Sequence, residues 1–586
     1  MRKRIAVIDR NKCHPQECGN YLCAKLCPVN RTGADCIFPG DDTKARIDEL
    51  LCTGCSICPG RCVFGAIEII NLPEQLNKDP VHRYGQNLFE LYSLPSPLFG
   101  QVTGILGKNG IGKSTALKIM ASVLKPNLGK WDKEVDFKDV INYFKGSETQ
   151  KFLTKLHKEE ITLSYKPQQV DLIPKQFSGT VKELLTKVDQ TGKIDEIAKE
   201  LQLTQFLDTD ISKVSGGELQ RVAIAASVLK DANLFLFDEP SSYLDIKQRI
   251  NMSQFIRSLS NNDTATLVIE HDLIILDYMT DLLNIMYGHE NVYGIVSGVK
   301  SSREGINAFL DGYLREENVR FRPNPIKFMK TQDAEEGLPV HLISWPKLSK
   351  TLGNFTLTAN PGTLKRNEVI GILGENGIGK TSFVKLLAGV MELDEGEIEH
   401  DIKVAYKPQY LDTESDLTVA EFLKDAISKY DRQLIQPLNL EKLYGQKLSE
   451  LSGGQLQRVA IANCLSKDAD LILLDEPSAY LDVEQRLLIS KIISQVAMER
   501  DITIMVVDHD LMFIDYVCTK LLVFSGVPAK EGVVQGPFSM EDGMNMFLEE
   551  LGITLRRDIN SHRPRINKQN SVKDREQRGS NKWYYG

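Results

Sequence analysis

The sequence lacks the features that would place the protein in a membrane or on a secretory route. Among its 586 residues, no apolar run approaches the ~18–20 uninterrupted residues that cross a bilayer. The apolar stretch that follows Met1-Arg-Lys-Arg is too short for a signal peptide. We therefore expect a cytoplasmic protein that makes no contact with a membrane.

Strong compositional bias is absent as well. Hydrophobic residues make up 42% and charged residues 26%, which argues against wholesale disorder, collagen-like repeats and a coiled-coil rod. At roughly 100–200 residues per domain, the length predicts about three to five domains. The net charge of −8 confines nucleic-acid contacts to local basic patches. Residues 313–330 and the stretch from Arg556 onward are the candidates, with a solvated linker and a disordered tail as the alternative.

Cysteine is abundant in only one place. Nine of the 11 cysteines lie between Cys13 and Cys62, and without signs of secretion this favours metal or cluster ligation over disulfides. Apart from Cys36, these cysteines form two runs of four, Cys13 to Cys27 and Cys52 to Cys62. The second run matches the bacterial ferredoxin spacing for [4Fe–4S] clusters, so the two runs predict two clusters. The ligands are Cys13, Cys18, Cys23 and Cys27 in the first run and Cys52, Cys55, Cys58 and Cys62 in the second.

The cysteine pattern departs from ferredoxin in two respects. The first run is wider, and Val63 follows the last cysteine where ferredoxins have proline. By analogy with ferredoxin, Cys27 would join the ligands of the second run and Cys62 those of the first. Four thiolates also suit zinc, although structural zinc sites usually supply two separated cysteine pairs, and iron–sulfur is therefore the favoured interpretation.

A long internal repeat organises the rest of the chain. Five motifs occur twice in the same order: Gly-x-x-x-x-Gly-Lys-Ser/Thr, Tyr-Lys-Pro-Gln, Ser-Gly-Gly, Asp-Glu-Pro-Ser, and an acidic residue followed by His-Asp. The distance from Ser215 to Asp238 equals that from Ser452 to Asp475, 23 residues, which indicates a duplicated fold. The first copy carries about 26 extra residues, roughly 131–160, and their apolar pattern predicts two short amphipathic helices joined by a turn.

These features give a domain map with approximate boundaries. We expect a cysteine-rich module at residues 1–75, a first nucleotide-binding domain at 76–300, a hinge segment at 301–335, a second nucleotide-binding domain at 336–536, and a C-terminal hinge segment with a basic tail at 537–586.

Each copy carries a phosphate-binding loop in the expected context. Val102 to Leu106 and Val369 to Leu373 are β-like runs that precede the two loops, and helical patterns follow them. The glycines allow backbone N–H groups to face phosphate, the lysine reaches the β- and γ-phosphates, and the hydroxyl ligates Mg²⁺. The candidate nucleotide-binding residues are Gly107, Asn109, Gly110, Gly112, Lys113, Ser114 and Thr115 in the first copy and Gly374, Asn376, Gly377, Gly379, Lys380, Thr381 and Ser382 in the second.

Downstream residues supply the rest of an ATPase site. Asp238 and Asp475 end buried-strand patterns and would hold the metal through water, while Glu239 and Glu476 would accept a proton from the attacking water. Gln168 and Gln409 suit metal and water positioning. His271 and His509 follow β-branched runs and could contact the γ-phosphate.

The Ser-Gly-Gly steps predict a second anion site in each copy. Ser215-Gly216-Gly217-Glu218 and Ser452-Gly453-Gly454-Gln455 have the pattern of a capping box that opens a helix. Because each phosphate loop already binds its own nucleotide, the additional helix N-terminus would serve another one.

Together these motifs resemble the ATP-binding cassette family over residues 80–536. The resemblance implies two α/β nucleotide-binding domains arranged head to tail, so that the Ser-Gly-Gly of one closes over the Mg-ATP held by the other. Ser452, Gly453 and Gly454 would then complete the site of Lys113, and Ser215, Gly216 and Gly217 that of Lys380. Adenine would stack on Tyr84 in the first copy and on Trp345 or Phe355 in the second.

The whole chain resembles subfamily E of the same proteins, the RNase L inhibitor family of archaea and eukaryotes. This resemblance implies a ferredoxin-like α+β iron–sulfur domain, two hinge segments at Asn318–Pro323 and Asn560–Arg565, and an insert that contacts ribosomal RNA through Lys145, Ser147 and Lys151. It implies an ATPase that splits ribosomes together with a release-factor-like or Pelota-type protein, stays on the small subunit through rRNA and protein contacts, and works as a single chain.

Other classes remain as alternatives at this stage. An ABC-F translation factor would lack the cysteine module and carry a long helical linker between its cassettes. A transporter ATPase would require a membrane partner. An ATP-coupled iron–sulfur redox protein, or another soluble twin-cassette ATPase, is the remaining alternative.

Overall fold

The computed structural model describes residues 4–71, 79–328, 340–387, 389, 391–396, 398, 402–409 and 416–584. Parts of the sequence predictions lie outside these ranges. They are residues 72–78 at the predicted boundary between the cysteine-rich module and the first nucleotide-binding domain, residues 329–339 at the end of the basic stretch and of the predicted hinge segment, Ala388 in the helical pattern after the second phosphate loop, and Tyr585 in the basic tail.

The cysteine-rich module is built from short elements around a core that contains its own thiols. Strand β1 (Arg4–Ile8) pairs antiparallel with β4 (Ile67–Asn71), and β2 (Ile37–Pro39) pairs antiparallel with β3 (Ala45–Ile47). Cys13, Cys27, Cys36, Cys52 and Cys58 are buried in this core. The elements are β1 Arg4–Ile8, α1 Leu22–Leu26, α2 Pro28–Arg31, β2 Ile37–Pro39, β3 Ala45–Ile47, α3 Ile57–Arg61 and β4 Ile67–Asn71.

The first cassette is an eight-stranded mixed sheet with helices between its strands. Its elements are β5 His82–Arg83, β6 Glu90–Tyr92, β7 Val102–Gly107, α4 Lys113–Met120, α5 Phe137–Tyr143, α6 Glu148–His157, β8 Leu163–Lys166, α7 Ile173–Gln176, α8 Val181–Val188, α9 Ile194–Glu200, α10 Gly216–Val228, β9 Leu234–Asp238, α11 Ile246–Leu259, β10 Ala265–Ile269, α12 Leu273–Met279, β11 Leu282–His289, β12 Tyr293–Ser301 and α13 Ser302–Asp311. A short hairpin follows, formed by β13 Tyr313–Leu314 and β14 Val319–Arg320.

The second cassette has the same eight-stranded plan. Its elements are β15 His341–Trp345, β16 Leu348–Leu352, β17 Phe355–Ala359, β18 Gly362–Lys365, β19 Val369–Leu373, α14 Lys380–Leu387, β20 Val404–Lys407, α15 Val419–Phe422, α16 Lys424–Tyr430, α17 Gly453–Leu465, β21 Leu471–Asp475, α18 Val483–Arg500, β22 Thr503–Val507, α19 Leu511–Val517, β23 Lys520–Val527, β24 Glu531–Ser539 and α20 Met540–Leu551. The C-terminal segment adds β25 Leu555–Arg557, β26 Pro564–Ile566 and α21 Val572–Gly579.

The strand order is the same in both sheets. It is β5-β6-β12-β11-β7-β10-β9-β8 in the first and β16-β17-β24-β23-β19-β22-β21-β20 in the second. In each sheet the five strands from β11 to β8, or from β23 to β20, run parallel. The central strands are buried throughout, because helices cover both faces of a parallel sheet. The α/β fold class expected from the sequence, with two cassettes and a ferredoxin-like module, is confirmed.

Strand register brings the phosphate loop and the carboxylates to one edge. Ile269 of β10 pairs with Ile105 of β7 on one side and with Asp238 of β9 on the other. In the second sheet, Val507 pairs with Ile372 and Asp475 in the same way. The carboxyl ends of these parallel strands therefore meet, which is where α/β sheets place their ligands.

The extra residues of the first copy contain the helices α5 and α6. Asp136 and Ser147 cap their N-termini by accepting the N–H groups of Lys138 and Gln150. Val140, Phe152 and Leu153 anchor the pair in the core of the first cassette. Lys145 and Lys151 are exposed between and along the helices.

The cysteine-rich module is docked on the edge of the first sheet. Arg83 donates from Nη2 to both carboxylate oxygens of Glu49, at 2.9 and 3.0 Å, and its Nε lies 2.9 Å from Glu90 Oε1. Asn87 is buried and bonds the backbone of Ala6 and Ile47. These polar contacts adjoin a small apolar cluster formed by Ile5, Val7, Tyr92, Val292 and Tyr293.

The C-terminal segment is folded, so the disordered-tail interpretation was wrong. Tyr584 is buried and bonds Asp515, while Arg557 donates to the Tyr584 hydroxyl at 3.1 Å. Thr554 donates to Asp574 at 2.7 Å, and Asn567 donates to Thr554 at 2.8 Å. Several basic residues predicted to be solvated instead form ion pairs, as Arg563 and Arg565 do with Asp277.

The chain divides into two compact units that do not coincide with the cassettes. The first comprises Met1–Pro240, Ile256–Glu270 and Thr280–Asn324, and the second comprises Ser241–Phe255, His271–Met279 and Pro325–Gly586. Two segments of the first cassette therefore belong to the unit of the second. Among the described residues, no helix is long and apolar enough to cross a membrane.

Candidate functional site

The second phosphate loop wraps around its lysine. Gly374 has φ 153°, Gly379 has φ 92°, and Lys380 is the first residue of α14. Lys380 Nζ donates to the Gly374 carbonyl at 2.8 Å and lies 3.4 Å from His509 Nε2. Burial lowers the pKa of Lys380 to about 8, an effect that the nearby carboxylates oppose. The loop thus places a buried cation at the N-terminus of a helix, where a triphosphate is favoured.

The acidic pair that follows β21 is held by several side chains. Thr381 donates to Asp475 Oδ2 at 3.3 Å, and Gln409 Nε2 donates to Glu476 Oε1 at 2.6 Å. His509 Nε2 lies 3.8 Å from the same Glu476 oxygen. The predicted residues Lys380, Thr381, Gln409, Asp475, Glu476 and His509 are therefore brought together, with Asn376 bonded to His509 at 3.0 Å.

Electrostatics in the second site follow from burial. Desolvation raises the pKa of Glu476, and the neighbouring Asp508 raises it further. Desolvation also lowers the pKa of His509 well below its usual value, with Lys380 and Arg249 acting in the same direction. His509 is therefore a neutral imidazole at neutral pH, able to donate from one nitrogen and accept at the other.

The first phosphate loop has matching backbone geometry. Gly110 and Gly112 have φ 70° and 90°. Lys113 begins α4 and donates to the carbonyls of Gly107 and Lys108 at 2.9 and 2.7 Å. Asp238 is buried at the end of β9. This burial raises its pKa above the usual value, and a hydrogen bond with Ser114 only partly opposes the rise. Gln168 is exposed, unlike Gln409. His271 is buried just beyond the end of β10.

Both catalytic glutamate candidates have strained backbones. Glu239 and Glu476 have φ 47° and 46°, in the left-handed region that residues with a Cβ seldom adopt. Each is held there by its own N–H, which donates to Ile269 or Val507 of the adjacent strand. Strain of this kind costs about 1–3 kcal/mol and persists where the surroundings impose it. The same backbone conformation therefore recurs at both predicted catalytic positions.

The Ser-Gly-Gly steps are helix N-termini, as predicted. Ser215 and Ser452 are the N-caps of α10 and α17, and each forms a capping box with Glu218 or Gln455. The serines are exposed, and Gly216, Gly217, Gly453 and Gly454 form the first turns. Tyr480 packs against the second pair, because a Cβ on Gly453 would lie 3.1 Å from Tyr480 Cγ.

The residues after the first acidic pair reach the second phosphate loop, since 241–255 belong to the second unit. Asp245 Oδ2 accepts the backbone N–H of Asn376 at 3.2 Å, and Lys247 pairs with Glu375 at 2.7 Å. Arg249 donates to Asp272 at 3.1 Å and to the His509 carbonyl at 3.3 Å. These contacts could not be predicted from the sequence, because the repeat reveals positions but not the partners they meet.

The aromatic residues proposed to stack adenine need correction in the second copy. Tyr84 is 47% exposed, and its hydroxyl lies 3.1 Å from Thr115 Oγ1 beside the first loop. Trp345 is wrong for this role, because it is 3% exposed and packs on Phe383 in the core. Phe355 lies beneath Gly379, as Phe89 lies beneath Gly112. By register the counterpart of Tyr84 is Leu352, so an aromatic residue is missing there.

Several of the eight predicted cluster ligands lie near one another in the cysteine-rich module. None of the cysteines is in a disulfide. Burial raises the pKa of Cys23 to about 11, and the nearby thiols of Cys13, Cys18 and Cys62 add to this rise. Burial likewise raises the pKa of Cys58 to about 12, and the nearby thiols of Cys52, Cys23 and Cys55 add to this rise. Cys36 is a core thiol next to Cys27 and Cys52. The backbone N–H of Ala66 donates to Cys62 Sγ at 3.2 Å.

Within the described ranges, no group of three or more His, Cys, Asp or Glu side chains is close enough to hold a single metal ion. The donor set nonetheless fits iron–sulfur chemistry, since its members are thiols in and around the core of the module and one accepts a backbone N–H. Such hydrogen bonds to sulfur are among the features that tune clusters.

Comparison with known proteins agrees with this arrangement. The sequence matches the family described as "ABC transporter" over residues 99–242 and 358–479, and the family described as "Possible Fer4-like domain in RNase L inhibitor, RLI" over residues 4–35. It is 51% identical to an ABC transporter ATP-binding protein of Methanocaldococcus jannaschii, covering 99% of this chain and 97% of the relative. It is 43% identical to translation initiation factor RLI1 of Saccharomyces cerevisiae, covering 99% and 98%.

A solved structure extends the likeness to the whole fold. The chain is similar to one in a model of ribosome-bound archaeal Pelota and ABCE1, with 51% identity, a TM-score of 0.94, and coverage of 100% of this chain and 99% of the other. The two cassettes, the Fer4-like module and the 51% identity over the full length of the chain together establish nucleotide binding, ATP hydrolysis and an iron–sulfur module. The chain belongs to the RNase L inhibitor family, subfamily E of the ATP-binding cassette ATPases.

Proposed function

We propose that this ATPase recycles ribosomes: it splits them into subunits together with a release-factor-like or Pelota-type protein and then stays bound to the small subunit. The observation that carries the proposal is the likeness, over the full length of both chains, to ABCE1 bound to a ribosome beside Pelota. A cysteine-rich module docked on the cassette that carries α5 and α6 fits that role. The protein would act in the cytoplasm, as a single chain and without a membrane partner.

Each phosphate loop would bind one ATP. Lys113 and Lys380 would contact the β- and γ-phosphates, and His271 and His509 the γ-phosphate. Ser114 with Gln168, and Thr381 with Gln409, would hold Mg²⁺, with Asp238 and Asp475 acting through water. The ion would supply neutralisation of the charge on the transferring phosphoryl group. Glu239 and Glu476 would accept the proton of the attacking water, a step worth roughly 10²–10⁴-fold.

The exposed helix N-termini would complete the sites across the two cassettes. Ser452, Gly453 and Gly454 would close over the ATP at Lys113, and Ser215, Gly216 and Gly217 over the ATP at Lys380. Two shared nucleotides would then favour a closed form, which requires about 5.5 kcal/mol to move a population from 1:99 to 99:1. Closure would displace the cysteine-rich module against the partner protein, and hydrolysis would reset the chain.

The cysteine-rich module would hold two [4Fe–4S] clusters. Cys13, Cys18, Cys23 and Cys62 would bind one cluster, and Cys27, Cys52, Cys55 and Cys58 the other. The proximity of Cys13, Cys18 and Cys62 to Cys23, and of Cys52 and Cys55 to Cys58, supports this pairing, while Cys23 and Cys58 also lie near each other. The clusters would supply rigidity to a module of short strands and helices.

Iron and sulfide content distinguishes this proposal from zinc. Anaerobically purified protein should contain about eight iron and eight sulfide per chain, in line with two four-iron clusters. Cys55→Ser, at an exposed ligand position, should lower both counts, whereas Cys464→Ser, at a buried thiol far along the chain, should leave them unchanged. Stoichiometric zinc without sulfide would contradict the assignment.

Small-subunit binding tests the ribosomal role. The Glu239→Gln, Glu476→Gln variant should remain on small ribosomal subunits with ATP, because it binds nucleotide but cannot activate water. Glu441→Gln, an exposed position, is the matched control and should release normally. Rapid release of the double variant, or failure of the unmodified protein to co-sediment with small subunits in a non-hydrolysable ATP analogue, would overturn the proposal. A cluster potential that shifts with nucleotide would instead favour ATP-coupled redox chemistry.

A further inference from the structure

A tetrapeptide at the end of β20 grips the acidic pair through three of its four side chains. Tyr406 donates to Asp475 Oδ2 at 3.3 Å, Lys407 Nζ donates to the Asp475 carbonyl at 2.7 Å, and Gln409 donates to Glu476. Family resemblance assigns a role only to the glutamine. The lysine is 1% exposed and lies within the sheet.

The first cassette repeats the lysine contact. Lys166, at the end of β8, is fully buried, and its Nζ donates to the Asp238 carbonyl at 3.0 Å and approaches the Glu239 carbonyl at 3.4 Å. The same bond therefore forms at both sites, although Gln168 and Gln409 differ in exposure. The contact between the lysine and the backbone of the acidic pair is thus repeated in both cassettes.

A glutamine from the Ser-Gly-Gly helix supports the same backbone from the other side. Gln220 Nε2 donates to the Glu239 carbonyl at 2.9 Å, and Gln457 Nε2 donates to the Glu476 carbonyl at 2.6 Å. Lysine and glutamine therefore hold adjacent carbonyls of a dipeptide whose glutamate lies in the left-handed region. Held from both sides, the strained backbone fixes the direction of both carboxylates.

The position favours a functional role over simple core filling. Burying an ammonium group costs several kcal/mol, and well-packed apolar residues in place of buried ions are often neutral or stabilising. A lysine retained here at both sites faces the acids that cluster at the sheet edge. For Lys407 these are Asp475, Glu476 and Asp508, which oppose the lowering of its pKa to about 8 by burial, and the protonated ammonium offsets the repulsion among them.

We propose that Lys166 and Lys407 are positioning residues for ATP hydrolysis, which hold the Asp-Glu backbone so that both carboxylates face the phosphate site. They touch neither substrate nor the reacting atoms, and they act through Asp238, Glu239, Asp475 and Glu476. The inference rests on ATP hydrolysis alone and is independent of the ribosomal role.

The test compares ATP turnover with ATP retention in the full-length Lys166→Met, Lys407→Met variant. Methionine keeps the length and removes the charge and the hydrogen bond. We expect kcat to fall by about 10–100-fold, KM for ATP to stay within about threefold, and radiolabelled ATP to remain bound after rapid gel filtration. The melting temperature should be unchanged or higher.

Lys158→Met, Lys403→Met is the matched control. Both lysines are exposed, pair with an acid, and lie just before β8 and β20, and the control should hydrolyse ATP normally. Unchanged kcat in the folded Lys166→Met, Lys407→Met variant would overturn the proposal. Loss of ATP retention together with a lower melting temperature would also overturn it, since that would show a structural role. Small-subunit co-sedimentation is scored separately, so failure of the ribosomal proposal stays distinguishable.

Discussion

Each cassette has a sheet of the same strand order, a phosphate loop and a buried lysine beside the acidic pair, Lys166 or Lys407. The two cassettes differ at the edge strand of the sheet. In the first sheet the edge carries His82 and Arg83, whereas register places Lys350 and Thr351 at the same positions of the second. Arg83 binds the cysteine-rich module, while Lys350 pairs with Asp394 at 2.7 Å. The comparison teaches that residues inside the duplicated fold are constrained by packing, and those at its edge by what docks there.

The largest stability effect is expected at Arg83. Arg83→Met removes the buried guanidinium that pairs with Glu49 and Glu90, and breaking such a buried pair costs about 3–5 kcal/mol. Chemical denaturation should show this loss, and hydrogen exchange should rise in the cysteine-rich module before the cassette. Lys350→Met removes the half-buried lysine that stands at the position of His82 in the second sheet, and about 0–1 kcal/mol is expected because its partner Asp394 is exposed to solvent. Equal effects of the two substitutions would erase the difference between the edges.

The next effect separates the two glutamines. Gln409 is bonded to Glu476, whereas Gln168 is exposed. Gln409→Ala should lower ATP turnover by about 10-fold or more, because hydrogen bonds to charged groups are worth about 1.5–3 kcal/mol. Gln168→Ala should have a smaller effect. Steady-state kinetics of both variants would decide the matter, and a larger loss in Gln168→Ala would reverse the comparison.

The folded tail is an addition to the second half of the chain. Tyr584→Phe removes a hydroxyl that contacts Asp515 and Arg557, and should lower the free energy of unfolding by about 1–3 kcal/mol. Denaturant titration measures this change. Tyr444→Phe, at a half-buried tyrosine, serves as control. If Tyr584→Phe were as stable as the control, the tail contacts would contribute little.

The smallest effect is a pH dependence of the first edge. Burial lowers the pKa of His82 from its usual 6.5, so the unfolded chain binds the proton more readily. The free energy of unfolding is therefore highest above about pH 6.5, where His82 is neutral in both states, and it decreases as the pH falls through that value toward the pKa of the folded protein. His82→Gln should flatten this part of the stability curve between pH 7 and 5. An unchanged slope in the variant would remove His82 as its cause.

Periodicity and repetition were enough to predict the duplicated α/β fold, the two helices of the insert and the phosphate loops. Strand-helix context predicts backbone geometry, and hence the positions of Lys113 and Lys380, because these motifs are local. The tail illustrates the opposite case. Charge along Arg556 to Lys582 suggested a solvated segment, but ion pairs with residues distant in sequence, such as Asp277 and Asp515, hold it in a folded state.

By itself the sequence determined which residue types stand at the ends of which strands, because strand propensity and glycine spacing act over a few residues. Only the tertiary structure decided which side chains share a neighbourhood: that Trp345 is buried in the core, that Leu352 occupies the place of Tyr84, and that Lys166 and Lys407 hold the backbone of the acidic pairs. Those outcomes depend on sheet register and burial, which arise when segments far apart in the chain pack together and exclude water.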